Sequence, residues 1–191
     1  MQEPYFENQL FDRIDCTQQE LTKGEYEKCN FDNCSFSECD LSEFKFIDCC
    51  FINCNLSLAK INKTVFQDIK FKDCKLIGLH FENCNDFLLS FSFENCQLNY
   101  CSFFKTKIKK TIFNNSTLLQ VDFSETDLTG AIFENCNMEQ SVFNKTILEK
   151  ADFRTAYNFS IDLENNRMKK ARFSSIGIQG LLYKYDIEID S

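Results

Sequence analysis

The 191-residue chain is acidic and rich in phenylalanine and cysteine, with a formal net charge of -8, 22 Phe and 12 Cys. Its hydrophobic content of 43% excludes a disordered chain, and its acidity argues against direct binding to nucleic acid. We find neither a signal peptide nor an apolar run near the ~20 residues of a membrane helix. We therefore expect a cytoplasmic protein whose cysteines are reduced thiols.

A five-residue period runs through almost the whole chain. Every fifth residue from Phe6 to Phe81 is apolar or Cys. A second phase, shifted by two residues, runs from Phe93 to Ile178, and Asn158 is the one polar residue among its eighteen positions. A small or apolar side chain lies two places before most central residues, and nine of the twelve Cys occupy that place. A period of five fits neither an amphipathic helix nor an alternating strand.

The repeats C-S-F-S-E, C-D-L-S-E, T-D-L-T-G and A-D-F-R-T resemble those of the pentapeptide-repeat family, usually written A(D/N)LXX. The resemblance covers roughly residues 6–178. It implies an all-β fold, a right-handed quadrilateral β-helix (a solenoid) with one pentapeptide per side, four per coil and about 8–9 coils in total. We assign residues 1–173 to this β-helix and residues 174–191 to a C-terminal cap.

Grouping every fourth repeat gives four columns and predicts a coil of twenty residues. The clearest column contains only phenylalanine, in the order Phe11, Phe31, Phe51, Phe71, Phe93, Phe113, Phe133, Phe153 and Phe173. The opposite column contains Leu, Ile and Phe and ends at Leu163. Inward rings should stack along the axis, and the smaller residues two places earlier should fill the space between them.

The columns align only if two residues within 82–92 are treated as an insertion. Because the Phe column resumes after this segment, the insertion should protrude from a corner as residues 85–89, with Leu88 in the inward position. Asp86 and Phe87 on this protrusion are candidate partner contacts.

The cysteines and asparagines of the repeats have structural explanations. A ladder of inward thiols places successive sulfurs about one coil apart, so we interpret them as small buried hydrophobes rather than metal ligands. Asn33, Asn53 and their equivalents lie at one corner, where Asn tolerates turn conformations. His80 is the one histidine, and no catalytic triad or phosphate-binding loop can be named. We expect no enzyme activity, cofactor or metal.

Three outward features are candidates for contact with a partner. A weakly charged side projects Leu58, Ile77, Tyr100 and Leu119, which form either a partner face or ordinary surface. Lys105, Lys107, Lys109 and Lys110, with Arg167, Lys169 and Lys170, form either a solvated face or a contact for an acidic partner. At Asn158 we expect a bulge that turns Phe159 inward, although Phe159 in regular register would face solvent.

The tail leaves the strict repeat at Gly180. It resembles the C-terminal segments of the quinolone-resistance and toxin-immunity branch of the family, where a short helix and a terminal strand pair two rods end to end. This resemblance implies a cap and a homodimer, and a monomeric cap is the alternative. The residues concerned are Leu181, Leu182, Tyr183, Tyr185, Ile187 and Ile189.

The same resemblance implies a function. Members of that branch bind DNA gyrase or topoisomerase IV as DNA mimics and thereby protect the enzyme from quinolones or toxins. Acidity favours this reading, but it is concentrated early: residues 1–90 contain 16 acids and 9 bases, and residues 91–191 contain 13 and 12. The lysines at 105–110 would interrupt a continuous acidic track. The alternative is a general protein-interaction scaffold.

Overall fold

The computed structural model describes residues 3–188, and these form a parallel β-solenoid with a helical end. Eleven strands of three or four residues alternate with tight turns. The strands are β1 (Tyr5–Glu7), β2 (Leu10–Asp12), β3 (Glu25–Glu27), β4 (Asn30–Asp32), β5 (Lys45–Ile47), β6 (Cys50–Ile52), β7 (Val65–Gln67), β8 (Ile69–Lys72), β9 (Phe91–Glu94), β10 (Ile112–Asn114) and β11 (Ile132–Glu134). Helix α1 (Gln179–Leu182) and two 3₁₀ turns (Phe81–Asn83 and Tyr183–Tyr185) complete the elements. No described helix has the length and apolarity that crossing a bilayer requires.

Four parallel ladders form the sides of the solenoid. Side A comprises β1, β3, β5 and β7 and resumes as single bridges from Lys107 to Arg167. Side B comprises β2, β4, β6, β8, β9, β10 and β11 and continues through bridges to Arg172. Side C (15–157) and side D (40–142) consist of single bridges. Partners are twenty residues apart, or twenty-two across the insertion, which confirms the predicted quadrilateral β-helix.

The corners explain the polar columns. Residues 33, 53, 73, 95, 115 and 135 all have φ between 48° and 55°, in the left-handed region that Asn and Asp tolerate best among residues with a Cβ. Their side chains also bond along the axis: the Asn95 amide donates to Asp73 at 3.0 Å and the Asn135 amide to Asn115 at 3.1 Å. The structural interpretation of the asparagines is therefore correct.

The all-Phe column is the core of side B. Its nine rings form eight consecutive stacked pairs, with centroid distances of 4.7–5.4 Å. This side has nine rungs within the described residues. Rings from neighbouring sides meet edge to face, as Phe113 and Phe123 do at 6.0 Å and 82°. Both arrangements are favourable for aromatic quadrupoles.

Most cysteines behave as predicted, with one exception. The Cys54 thiol donates to the carbonyls of Ile52 and Phe31, both at 3.3 Å, so its proton is held inside the coil. Burial raises the pKa of the Cys101 thiol to about 12, which makes the reactive thiolate scarce at neutral pH. Cys16 and Cys39, however, form a disulfide with a Cα–Cα distance of 6.5 Å. The expectation that all thiols are reduced is therefore wrong for this pair, which joins the first two coils.

The insertion protrudes from the middle of side A. Backbone hydrogen bonds hold both ends of the insertion. Asn85 N donates to the carbonyl oxygen of Thr64, directly before β7, and Ser90 N donates to that of Phe66 in β7, both at 3.0 Å. The prediction that Leu88 points inward is wrong. Leu88 has a φ of 58° and is 54% exposed, whereas Leu89 is 7% exposed and fills the inward place. The left-handed turn at position 88 shifts the inward position by one residue.

The last coil departs from the strict repeat. Phe159 is buried against Phe153 and Phe173 while Asn158 faces solvent, so the predicted bulge is confirmed. Leu163, predicted to be inward, is exposed, because a turn at this point leaves Ile161 as the buried residue.

Helix α1 closes this end of the rod. A Cβ at Gly180 would lie 2.3 Å from the Phe159 carbonyl oxygen, so glycine permits the close contact, and Ile161 N donates to Gly180 O. Leu181 is buried in the cap. The described tail, residues 174–188, contains no strand, and Ile189 lies outside the described residues.

Candidate protein-interaction surfaces

Side C brings the predicted apolar residues together. Leu58, Ile77, Tyr100 and Leu119 occupy four consecutive rungs, because Leu58 N bonds to Ile77 O and Tyr100 N to Leu119 O. Leu58 and Tyr100 are each 57% exposed, and the other two are partly buried. Gly78 makes room for this row: its φ is 71°, and a Cβ there would lie 2.7 Å from Leu58 Cδ2.

The surroundings of this row are polar but almost uncharged. Along the same edge the Gln120 amide donates to the Gln140 carbonyl oxygen at 2.6 Å. On the four rungs of side C that lie within residues 55–120, Lys75 is the one charged outward residue. A surface of this kind loses little charge hydration when another protein covers it.

Side A is divided by charge into an acidic and a basic half, although the sequence alone indicates only a local lysine cluster. Each rung of side A has three outward residues: the two that flank the inward central residue and the corner residue that follows them. At these outward positions the first four rungs carry five acids and two bases. These are Glu7, Glu25, Glu27, Asp48 and Asp68, with Lys28 and Lys45. The last four rungs carry seven bases and two acids. These are Lys107, Lys109, Lys110, Lys150, Arg167, Lys169 and Lys170, with Asp127 and Glu149.

Ion pairs along side A neutralise its two halves to different extents. In the acidic half Lys28 lies 3.0 Å from Glu27, and this hydrogen bond raises the pKa of Lys28. In the basic half only Lys109 and Arg167 are paired, with Asp127 at 3.2 Å and Glu149 at 2.6 Å. Five other cations of this half have no ion pair within residues 3–188. These are Lys107, Lys110, Lys150, Lys169 and Lys170.

The C-terminal end presents exposed apolar side chains, and ion pairs attach it to the last coil. Lys184 Nζ lies 2.6 Å from Asp162 Oδ1 and 2.9 Å from Glu164 Oε2, and its hydrogen bond lowers the pKa of Asp162. Of the predicted cap and dimer residues, Leu181 packs inward and Leu182 is partly buried. The predicted residues Tyr183, Tyr185 and Ile187 are about half exposed. Ile178 and Ile176, which were not among the predicted residues, are 46% and 81% exposed.

The inserted segment places Asp86 and Phe87 on the surface, as predicted. Phe87 is 72% exposed and Asp86 is also exposed, at the fifth of nine rungs of side A. His80 is exposed and pairs with Glu82 at 2.9 Å. Within residues 3–188 no group of three His, Cys, Asp or Glu side chains is placed to hold a metal ion.

Comparisons with known proteins agree with the repeat architecture. The family model described as "Pentapeptide repeat region" matches residues 11–103, and the model described as "Pentapeptide repeats (8 copies)" matches residues 122–157. Together the two models cover about two thirds of the chain. No curated protein sequence matches significantly.

Solved structures match this chain at low sequence identity, and QnrB1 shares its fold. Full-length QnrB1, a plasmid-mediated fluoroquinolone resistance protein, is 16% identical with a TM-score of 0.62, and the match covers 96% of this chain and 100% of QnrB1. HetL, a pentapeptide-repeat protein involved in heterocyst differentiation regulation in the cyanobacterium Nostoc sp. strain PCC 7120, is 13% identical with a TM-score of 0.31. That match covers 85% of this chain and 88% of HetL.

Proposed function

Because the chain belongs to the pentapeptide-repeat family, we propose that it is a non-enzymatic, acidic rod that binds a type II topoisomerase in the place of DNA. DNA gyrase and topoisomerase IV are the candidate partners, and protection from quinolones or toxins is the expected consequence. The description of QnrB1 as a fluoroquinolone resistance protein supports this choice of partner. The proposal includes a cytoplasmic location.

The concentration of charge in the first coils is the observation that carries the proposal. Residues 1–90 have 16 acids and 9 bases and fill about four coils, which span ~20 Å at a strand spacing of ~4.8 Å. One net negative charge therefore falls on every ~3 Å of axis, compared with ~1.7 Å in double-stranded DNA. Residues 91–191, with 13 acids and 12 bases, are nearly neutral. The N-terminal half is thus the DNA-like part, and we assign the topoisomerase contact to it.

Matched charge variants test this assignment. Glu20→Gln with Glu38→Gln removes two exposed acids from the first coils, and Glu134→Gln with Glu139→Gln removes two exposed acids from the later coils. We expect the unchanged protein to inhibit gyrase supercoiling and quinolone-induced cleavage at micromolar concentration, less so as salt is raised. The first pair should weaken this effect about tenfold, and the second pair should leave it within twofold. No effect of the unchanged protein in either assay would refute the proposal.

The C-terminal end is the proposed homodimer contact. Tyr183→Ser with Ile187→Ser replaces exposed apolar side chains and leaves the buried Leu181 and the Lys184–Asp162 pair intact. We expect this variant to lose the tail dimer in sedimentation velocity, whereas Tyr157→Ser, at a half-exposed position on side C, should not change the mass. An unchanged mass in both variants would exclude the tail contact.

A general scaffold is the second candidate, and side C favours it. A row of apolar residues with Lys75 as its one charged neighbour on these rungs, among them Leu58 and Tyr100, suits a protein surface better than a DNA-binding groove. Under this reading Leu58→Ser with Tyr100→Ser should abolish capture of the partner, and the Glu20/Glu38 pair should not matter. The two sets of variants therefore separate the two functions.

A further inference from the structure

The two charged halves of side A are arranged symmetrically about the inserted segment. Side A has nine rungs; residues 85–90 form the fifth, four rungs precede it and four follow it. The outward residues defined above give the preceding rungs a net charge of -3 and the following rungs a net charge of +5. A surface whose ends carry opposite charge complements a second copy of itself turned end for end.

Superposing side A on an antiparallel copy brings unlike charges together in three of the four pairs of rungs. The first rung, with Glu7, meets the ninth, which carries Arg167, Lys169 and Lys170. The fourth rung, with Asp68, meets the sixth, with three lysines at 107–110. The third and seventh rungs face each other through Lys45 and Asp127. The second and eighth rungs do not add to this complementarity, because Glu27 faces Glu149 and Lys28 faces Lys150. A two-fold axis through the fifth rung generates all these contacts twice, as a closed dimer requires.

The fifth rung places apolar side chains where this axis would pass. Phe87 is 72% and Leu88 is 54% exposed, so more than half of each residue's surface is open to a partner. The segment is nevertheless held in place: Phe87 N donates to Asn85 Oδ1 at 2.9 Å, and the Ser90 hydroxyl donates to Asp68 Oδ1 at 3.0 Å. An apolar centre inside a charged rim is the usual composition of a specific interface.

We propose that two copies of the chain associate side by side and antiparallel through side A, with Phe87 and Leu88 of each copy at the centre. About four extended residues give the side a width of ~13 Å, and nine rungs give a length of ~40 Å, so each copy buries ~500 Å². The total of ~1,000 Å² is at the lower limit for specific interfaces. The dimer is therefore weak, with dissociation in the micromolar range, and added salt weakens it further.

This contact differs from the proposed tail dimer and from topoisomerase binding. It uses none of the tail residues, and its readout is the oligomeric state of the purified chain alone. In the dimer the acidic rungs of side A are covered, so a cationic partner that uses those rungs competes with self-association.

Complementary charge reversal is the decisive experiment. One variant carries Lys107→Glu, Lys169→Glu and Lys170→Glu, and the other carries Glu7→Lys, Glu25→Lys and Asp48→Lys. Both sets of substitutions should preserve the fold, because Glu and Lys already occupy corner positions with positive φ elsewhere in the chain. The Tyr183→Ser and Ile187→Ser changes are included in every chain so that the tail contact does not contribute. In sedimentation velocity we expect each reversed variant to be monomeric and the equimolar mixture to form heterodimers.

The apolar centre has its own matched pair. Phe87→Ser with Leu88→Ser should weaken dimerisation at least tenfold, and Leu58→Ser with Tyr100→Ser, each 57% exposed on side C, should leave it unchanged. A chain without the tail contact that stays monomeric at 100 μM in low salt overturns the proposal. So does a dimer indifferent to the Phe87/Leu88 change. Binding of polyglutamate to the basic rungs without self-association would assign them to an acidic partner instead.

Discussion

Replacing Phe113 tests whether the stacked rings stabilise the rod beyond the burial of their apolar surface. Phe113 is fully buried in the sixth coil. Its ring stacks on Phe93 at 5.1 Å and on Phe133 at 4.9 Å, and it meets Phe103 and Phe123 edge to face at 6.1 Å and 6.0 Å. Four aromatic pairs therefore depend on one side chain.

The structure allows two magnitudes to be separated. Phe113→Ala removes the ring and leaves a cavity that rigid neighbouring coils cannot close, so we expect a loss of about 5 kcal/mol, the upper end for Phe→Ala. Phe113→Leu keeps most of the buried area but loses four aromatic pairs. At ~0.5 kcal/mol per pair, the low end of the measured range, the loss is about 2 kcal/mol. Phe87→Leu, at an exposed position, should change stability by less than ~0.5 kcal/mol.

Urea unfolding followed by far-ultraviolet circular dichroism measures these differences. The urea concentration at the unfolding midpoint should be highest for Phe87→Leu, lower for Phe113→Leu and lowest for Phe113→Ala. Hydrogen exchange should place the loss mainly in the coils next to Phe113, because each coil contacts only its neighbours. If Phe113→Leu is as stable as the unchanged protein while Phe113→Ala still loses about 5 kcal/mol, the stacking adds nothing to burial and the reasoning is refuted.

Three further predictions concern the two ends of the rod. Gly180→Ala should destabilise the cap, because its Cβ would lie 2.3 Å from a backbone carbonyl oxygen, and protease cleavage of the tail should accelerate. Cys16→Ser with Cys39→Ser opens a crosslink that spans 23 residues, worth about 3 kcal/mol, and hydrogen exchange in the first coil should rise. Asp162 has a lowered pKa, so the Lys184 contact stabilises the cap above the usual carboxyl pKa. This contribution should disappear as pH falls through the lowered folded value. Lys184→Met should reduce the pH dependence, and the hydrogen bonds from Glu164 N and the Asn165 side chain should preserve the remainder.

The repeat could be predicted in detail because one geometric unit is reused about thirty times. Each side needs an inward central residue and a small inward residue two places earlier, so Phe31, Phe51 and their equivalents fall into columns once the coil length is known. The corner asparagines follow from the same regularity. Such a fold can be predicted well from the sequence, because each contact between coils depends on a fixed separation of twenty residues.

The errors occur where that regularity is broken. Leu88 and Leu89 are equally apolar, and only the left-handed turn at position 88 decides which one is buried. Leu163 was assigned inward by counting, but the turn in the last coil displaces the register. The Cys16–Cys39 disulfide depends on a corner distance of 6.5 Å between different sides, which no column contains.

The charge division of side A has no role in the folding of the repeat. Two of every five residues point inward and determine the packing, so the remaining three are free to vary with little effect on stability. Sides A and C nevertheless differ in the charge of their outward residues. Side C is almost uncharged over the rungs within residues 55–120, and the net charge of side A changes from negative to positive at its middle rung. Stability does not demand this difference, because Lys, Glu and Gln occupy equivalent corners with positive φ. The order of charges along side A is thus better explained by what that side contacts than by the fold it covers.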